Sequence, residues 1–249
     1  METPKAGLVV LAVPDDALRQ AAERLAGLKP GRRVAVVHVS GALGLDVLSA
    51  LSDNAVGSFH PLQSFPEPRG PAAFRGSTVA VDSTSPALRR RLERLARDLG
   101  ATPKHVGDEQ RVLYHAAAVF ASNYLDVVIG QAIRLLQSSG WNEAEATAAL
   151  VPLAAGALEN LRRRGPVAAL TGPVRRGDAE TVEKHLAALE AVDRAHAAGR
   201  GPKTAAVYRM LGSIALEYAK DAGLKPAAAG RTRRALTPKK AATRRRRRT

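Results

Sequence analysis

Apolar positions follow two different rhythms along this chain, and the rhythm changes near residue 107. Before that point, short continuous apolar runs alternate with helical stripes. Gly7 to Val13 is an unbroken apolar run with β-branched members, the mark of a strand buried on both faces and therefore parallel. Pro14-Asp15-Asp16 then starts a helix that Asp15 can cap, with Leu18, Ala22 and Leu25 as its stripe. Val34 to Val39 reads as a second buried strand, followed by Ser40-Gly41 and a short helix carrying Leu45, Leu48 and Leu51. Ala55 to Phe59 is a short third strand, and His60 to Pro71, with prolines at 61, 66, 68 and 71, is loop. Ser77 to Val81 is a fourth strand. Ser85-Pro86 opens a helix with Leu88, Leu92, Leu95 and Leu99 on its apolar face, and Ala101 to Val106 is a last strand. This alternation predicts an α/β unit over 1–107, with a parallel sheet and right-handed crossovers.

From Asp108 onward only helical periodicity remains. One long helix is expected from about 108 to 138 and another from about 142 to 163. Gly165-Pro166 breaks the chain, and Thr171 to Gly177 is a loop. Asp178 caps a helix to about 197, and Gly201-Pro202 leads into a last helix ending near Gly223. Residues 225–249 carry Ala, Thr, Arg and Lys without periodicity, which predicts a disordered basic tail. The expected organisation is thus 1–107 α/β, 108–224 all-α, and 225–249 tail.

Composition narrows the chemistry. Apolar residues make up 45% and aromatics only 4%, so the core must be built of Ala, Val and Leu. With no cysteine, disulfides, zinc ribbons, iron–sulfur sites and thiol nucleophiles are excluded. Residues 225–249 hold eleven Lys or Arg and no acid, which leaves only +4 of the +15 formal charge on 1–224. The globular part is therefore only mildly basic. No apolar run reaches the roughly 18 residues of a spanning helix, and Leu8 to Val13 is too short for a signal core. A cytoplasmic protein without membrane contact is expected.

Five segments carry candidate chemistry, each with a plain structural alternative. Ser40-Gly41-Ala42-Leu43-Gly44, between strand and helix, is either a phosphate-binding turn or a tight strand–helix connection. Val13, Pro14 and Asp15 leave a strand's C-terminal end, where open α/β sheets bind ligands; a simple helix cap accounts for them equally. His60, Gln63 and Ser64 place an imidazole, an amide and a hydroxyl on one stiffened loop, fit to orient a polar substrate or to satisfy buried carbonyls. In the long helix, Ser122 and Asp126 each fall within about 20° of His115 on an ideal wheel, with Asn123 about 80° round. Small alanines there admit either a ligand or another helix. Thr171 and Arg176 lie at a helix start that suits a carboxylate or phosphate, or merely holds solvated arginines. The tail, with Arg244 to Arg248, suits nonspecific nucleic-acid contact or solubilisation.

Taken in order, Val13–Leu18, Ser40–Gly44, His60–Phe65, Tyr114–Tyr124 and Leu170–Asp178 resemble the bacterial proteins that join a Rossmann-like domain to "domain of unknown function 2520". The resemblance implies a partial Rossmann-like sheet followed by a helical domain. It also implies a fold shared with pyrroline-carboxylate reductase, ketopantoate reductase and the β-hydroxyacid dehydrogenases, the 6-phosphogluconate dehydrogenase C-terminal-like superfamily. Those bind NADP or NAD at the Rossmann domain, and their helical domain supplies catalytic and dimer contacts. Members open with a strand and Gly-x-Gly-x-x-Gly. The resemblance sets residue 7 at about the fourth strand, so this sequence is expected to lack the first βαβ unit with its glycine loop. The resemblance sets His115 at the position of a catalytic lysine and Val119 at that of an asparagine, a role left to Ser122 or Asn123. The implied function is an NAD(P)-dependent oxidoreductase-like protein, inactive as this chain if the missing loop is indispensable. It would act on a small polar substrate, with His115 as acid or base, His60, Gln63 and Asn123 orienting the substrate, Arg176 meeting an anionic group, and a homodimer through the helical domain. No metal site is expected. The alternative is a non-catalytic binding or scaffold protein with a nucleic-acid-binding tail.

Overall fold

The computed structural model describes residues 5–195 and 203–238. The chain divides into two compact units, 1–126 and 127–249, and each is described by itself.

The first unit holds a five-stranded sheet in sequential order: β1 (Ala6–Leu11), β2 (Arg33–His38), β3 (Ala55–Leu62), β4 (Thr78–Ser83) and β5 (Thr102–His105). Side chains alternate across the sheet, so Val34, Val36 and Val56 face one way and Ala35, Val37, Phe59, Val79 and Val81 the other. The first face is covered by α1 (Asp15–Gly27), through Leu18 and Ala22, and by the 3-10 turn Leu45–Leu51. The second is covered by α2 (Pro86–Asp98), through Leu88, Leu92 and Ala96. Ser85 caps α2 by accepting from the Leu88 N–H. At α1 the cap position is Pro14 rather than Asp15, and no side chain caps it.

Three expectations for this unit are corrected. β1–β2, β2–β3 and β4–β5 pair parallel, but β3–β4 pair antiparallel. The connection 63–77 carries only the 3-10 turn Pro71–Phe74 and has no helix to cross the sheet, so the chain folds straight back. That return lengthens β3, and His60, expected in a loop, sits within the strand, paired with Ala80. Finally, β1 is only partly buried because it is an edge strand with β2 as its partner; Val10 is 50% exposed.

The helix expected over 108–138 is two helices, α3 (Asp108–Ala121) and α4 (Asn123–Gln137), broken where Ser122 leaves helical geometry. By length and composition alone, 108–137 is apolar enough to cross a membrane.

In the second unit, α5 (Glu143–Ala169) begins in a reciprocal capping box between Asn142 and Glu145 and breaks at Gly165. The expected loop at 171–177 contains a short helix, α6 (Gly172–Arg176). α7 (Ala179–Ala195) and α8 (Thr204–Asp221) follow. The tail is also corrected: residues 226–236 form α9 (Pro226–Leu236), which buries Ala229, Thr232 and Leu236. These fall at i, i+3 and i+7 on one face and join Val174, Val182, Leu186 and Leu216 in the unit's core. The rest of the expected tail, 239–249, lies outside the described residues.

Candidate functional site

The site grows from the stagger of β2 and β3. His38 at the end of β2 is the register partner of Ser58, and both continue the parity of Val36 and Val56. β3 runs on for four residues, Phe59 to Leu62, paired with β4. His60, two residues beyond Ser58, thus emerges past the end of β2 on the same face. There it meets α3. The Tyr114 hydroxyl lies 2.8 Å from His60 Nδ1, with the rings edge to face at 5.6 Å. The His115 ring lies 6.4 Å from that of His60. Gly41, at the turn after β2, closes the other side. A Cβ there would come within 2.7 Å of His60 Cε1 and Nε2 and 2.8 Å of His115 Cδ2, so any larger residue must displace a ring or the turn.

Beside these rings lies a cleft of about 670 Å³ lined by His60, Leu62, Gln63, Ser64, Tyr114, His115, Ser122, Asn123 and small residues of α3. Its lining carries no Asp, Glu, Lys or Arg. Six of the sequence candidates therefore share one cavity. The break at Ser122 takes Asp126, aligned with His115 on an ideal wheel, out of the lining and brings Asn123 in. Gln63 is engaged locally: its Nε2 donates to Ala73 O at 3.3 Å and its Oε1 accepts from the Ser64 N–H at 2.9 Å. Thr171 and Arg176 belong to the second unit.

Burial governs the electrostatics. It lowers His60 to about 4, helped by the neighbouring His115 and by Arg111 and opposed by Asp15. His38 is lowered to about 4 by burial and then by Arg111, opposed by Asp15, Asp108 and the backbone of Gly44. Its Nδ1 accepts from the Ser40 N–H at 3.2 Å. Burial raises Tyr114, against the pull of Arg111. Both imidazoles are thus neutral and the phenol protonated near neutral pH.

Arg111, Ser58, His38 and Asp108 carry this arrangement, and sequence reasoning passed over them. Arg111, on the first turn of α3, is 1% exposed and donates from Nη2 to Ser58 Oγ at 2.7 Å and Val106 O at 3.1 Å. Its Nε and Nη1, and His38 Nε2, are buried without a hydrogen-bond partner. A lone arginine near a helix start reads as solvated, and His38 sits in a valine run that reads as core. The available signal was parity: His38, Ser58 and His60 fall on one face at the strand ends.

The fit to a dinucleotide can be tested on the turn at 40–44. Ser40 Oγ accepts from the N–H groups of Ala42 at 3.2 Å and Leu43 at 3.0 Å, and Asp108 accepts from Leu45 N–H at 3.3 Å. These donors are already used, and the Asp108 carboxylate opposes an anion, so Ser40 and Gly41 do not cradle a pyrophosphate. Val13, Pro14 and Asp15 offer a different fit. They are exposed at the end of β1, and the carboxylates of Asp15 and Asp16 suit sugar hydroxyls rather than phosphate.

Residues 77–228 match the family model "Domain of unknown function (DUF2520)", and residues 2–62 match "Rossmann-like domain". No match is found among curated proteins. Among solved structures, a candidate NADP oxidoreductase from Bacteroides fragilis is similar at a TM-score of 0.71 and 22% identity, over 86% of this chain and 77% of that one. Protein TM1727 from Thermotoga maritima is similar at 0.68 and 23% identity, over 89% and 81%. Pyrroline carboxylate reductase from Plasmodium falciparum, solved with NADP bound, is similar at 0.52 and 10% identity, over 92% and 77%. At these identities the likeness is one of fold.

Proposed function

The chain belongs to the family "Domain of unknown function (DUF2520)", and on that premise we propose that it is an NAD(P)-dependent oxidoreductase acting on a small, uncharged polar substrate in the His60–His115 cleft. Its NAD(P)-dependent oxidoreductase-like fold is shared with reductases. The observation that carries the reading is the convergence of two imidazoles and a phenol, brought from β3 and α3 to the open end of the sheet. A nicotinamide cofactor, when bound, would supply or accept the hydride, and Asp15 is the residue that would hold its sugar hydroxyls. Tyr114 donates to His60 Nδ1, which leaves the proton on Nε2. His60 is then a neutral donor that can polarise a carbonyl or imine without competing for its proton. His115, whose ring lies 6.4 Å from that of His60, carries the transferred proton. Ser122 and Asn123 hold the polar end of the substrate through neutral hydrogen bonds, in keeping with a lining that has no formal charge. Titration of the full chain with NADPH and NADH, followed by nicotinamide fluorescence, tests the reading. Saturable binding of either is expected, and binding of neither overturns it.

The helical part supports a second element of the reading, a homodimer. α8 has two apolar faces. Ala205, Gly212, Leu216 and Ala219 are buried, whereas Val207, Met210, Leu211, Ile214 and Tyr218 form an exposed stripe on the opposite side. On α5, Leu153 is 69% exposed, and on α3, Leu113 is 77% exposed. A second copy of this chain covers such stripes by the same self-complementary packing on both sides.

A further inference from the structure

Most arginines and lysines of the helical unit that belong to an ion pair have a carboxylate from a neighbouring turn or helix. Arg162 and Arg163 share Glu159, Lys184 pairs with Glu180, Arg209 with Glu190, and Lys220 and Arg233 with Glu217. Other cations of the unit have no such carboxylate among the described residues, and four of them converge. Arg164 from α5, Arg175 and Arg176 from α6 and Lys225 at the start of α9 line a single opening of about 700 Å³. No Asp or Glu lines it, and among the described residues none of the four cations has a carboxylate within 4.0 Å. The next acid along the chain, Asp178, does not line the opening: its carboxylate accepts from Thr181 N–H at 3.0 Å and Thr181 Oγ1 at 2.7 Å, and it feels Arg176 only at longer range, beyond 4.0 Å.

The walls are fixed rather than loose. Val174 is buried in the core, and Gly177 follows α6 in the left-handed conformation, φ 70°. A Cβ on Gly177 would lie 2.7 Å from Ala228 Cβ, so glycine there lets α6 press directly on α9. Arg175 is anchored by donating from Nη2 to Ala222 O at 3.0 Å. Thr171 also lines the opening, and its side chain does not cap α6, so the hydroxyl is free of that duty.

We propose that this opening is a binding site for a small phosphate-bearing molecule, held by Arg164, Arg175, Arg176 and Lys225 with Thr171 as a neutral donor. Four like charges drawn from three helical segments are self-repulsive unless an anion sits among them. A phosphate monoester matches them better than a carboxylate does, because it carries close to two charges and three acceptor oxygens for the arginine forks. The volume lies within the range of small-ligand pockets, roughly 300–1,000 Å³. The site stands independently of the oxidoreductase reading.

Calorimetric titration of the full chain with phenyl phosphate, benzoate and an oligothymidylate tests it. Saturable binding of phenyl phosphate is expected, with benzoate about tenfold weaker. Arg164→Ala combined with Arg176→Ala should weaken phenyl phosphate by about tenfold or more. Both residues are exposed, so the fold should persist, and Lys225→Ala serves as a second variant at another exposed position. A full-length variant carrying Arg244→Ser through Arg248→Ser should bind phenyl phosphate as the parent does. Absence of saturable binding, equal binding of benzoate, or binding lost with the tail arginines but untouched by the opening variants would each overturn the proposal. So would binding confined to the oligothymidylate, which would assign the surface to nucleic acid instead.

Discussion

The Tyr114 hydroxyl stands 2.8 Å from His60 Nδ1 and joins the first helix after the sheet to a strand 54 residues earlier. With Tyr114 protonated and His60 neutral, donation by the hydroxyl, as proposed above, would place the imidazole proton on Nε2. Tyr114→Phe should release that choice. Nitrogen NMR of the imidazoles is expected to change from one dominant tautomer at His60 to a mixture, with about 1 kcal/mol lost in urea unfolding. An unchanged His60 spectrum would remove Tyr114 from the role assigned to it.

Gly41→Ala addresses the other side of the site. The new methyl would overlap both imidazoles, so either the turn or the rings must move. A loss of about 1–3 kcal/mol in stability is expected, together with shifted ring signals for His60 and His115. Wild-type stability with unmoved rings would mean that the turn is looser than described.

His38 and His60 make stability depend on pH in a definite direction. Each is lowered in the folded chain from 6.5 to about 4, so between those values the unfolded chain binds more protons than the folded one. Stability is therefore full above about 6.5 and falls as pH drops toward 4, at up to about 1.4 kcal/mol per pH unit for each group. Urea midpoints at pH 7 and pH 4.5 measure this, and His60→Gln should flatten the slope. Arg111→Met removes a charge that lowers both groups, so both should titrate at higher pH in proton NMR. A slope that rises toward acid would contradict the burial of the two rings.

The exposed stripe on α8 bears on assembly. Met210 is 67% exposed in its middle. Met210→Glu should leave the fold intact and convert a dimer to a monomer in light scattering after size exclusion. A wild-type chain that runs as a monomer at all concentrations would remove the homodimer from the reading.

Much of the fold could be read from the apolar pattern alone, because strands such as Arg33–His38 are short continuous apolar runs and helices such as Pro86–Asp98 repeat their apolar residues at 3.6. Three things could not. The direction of β4 depends on whether residues 63–77 cross the sheet, and a proline-rich stretch does not announce that it turns straight back. The burial of Arg111 depends on Ser58, 53 residues away, so no local pattern marks it. α9 hides its stripe among arginines: Ala229, Thr232 and Leu236 are too few and too small to stand out from a basic background. For the site, residue types at strand ends pointed to His60 and His115, whereas the residues that tune them lay inside segments that read as ordinary core or ordinary surface.

The four-residue overhang of β3 has a kinetic consequence. Phe59 to Leu62 are paired with β4 alone, while Gly57 and Ser58 are held from both sides. Fraying of one hairpin is then enough to release His60, with no need for the whole sheet to open. Amide exchange at Phe59, His60 and Leu62 should report a shallower opening than at Gly57 and Ser58, so the lifetime of the assembled site would be set by local melting rather than by global stability.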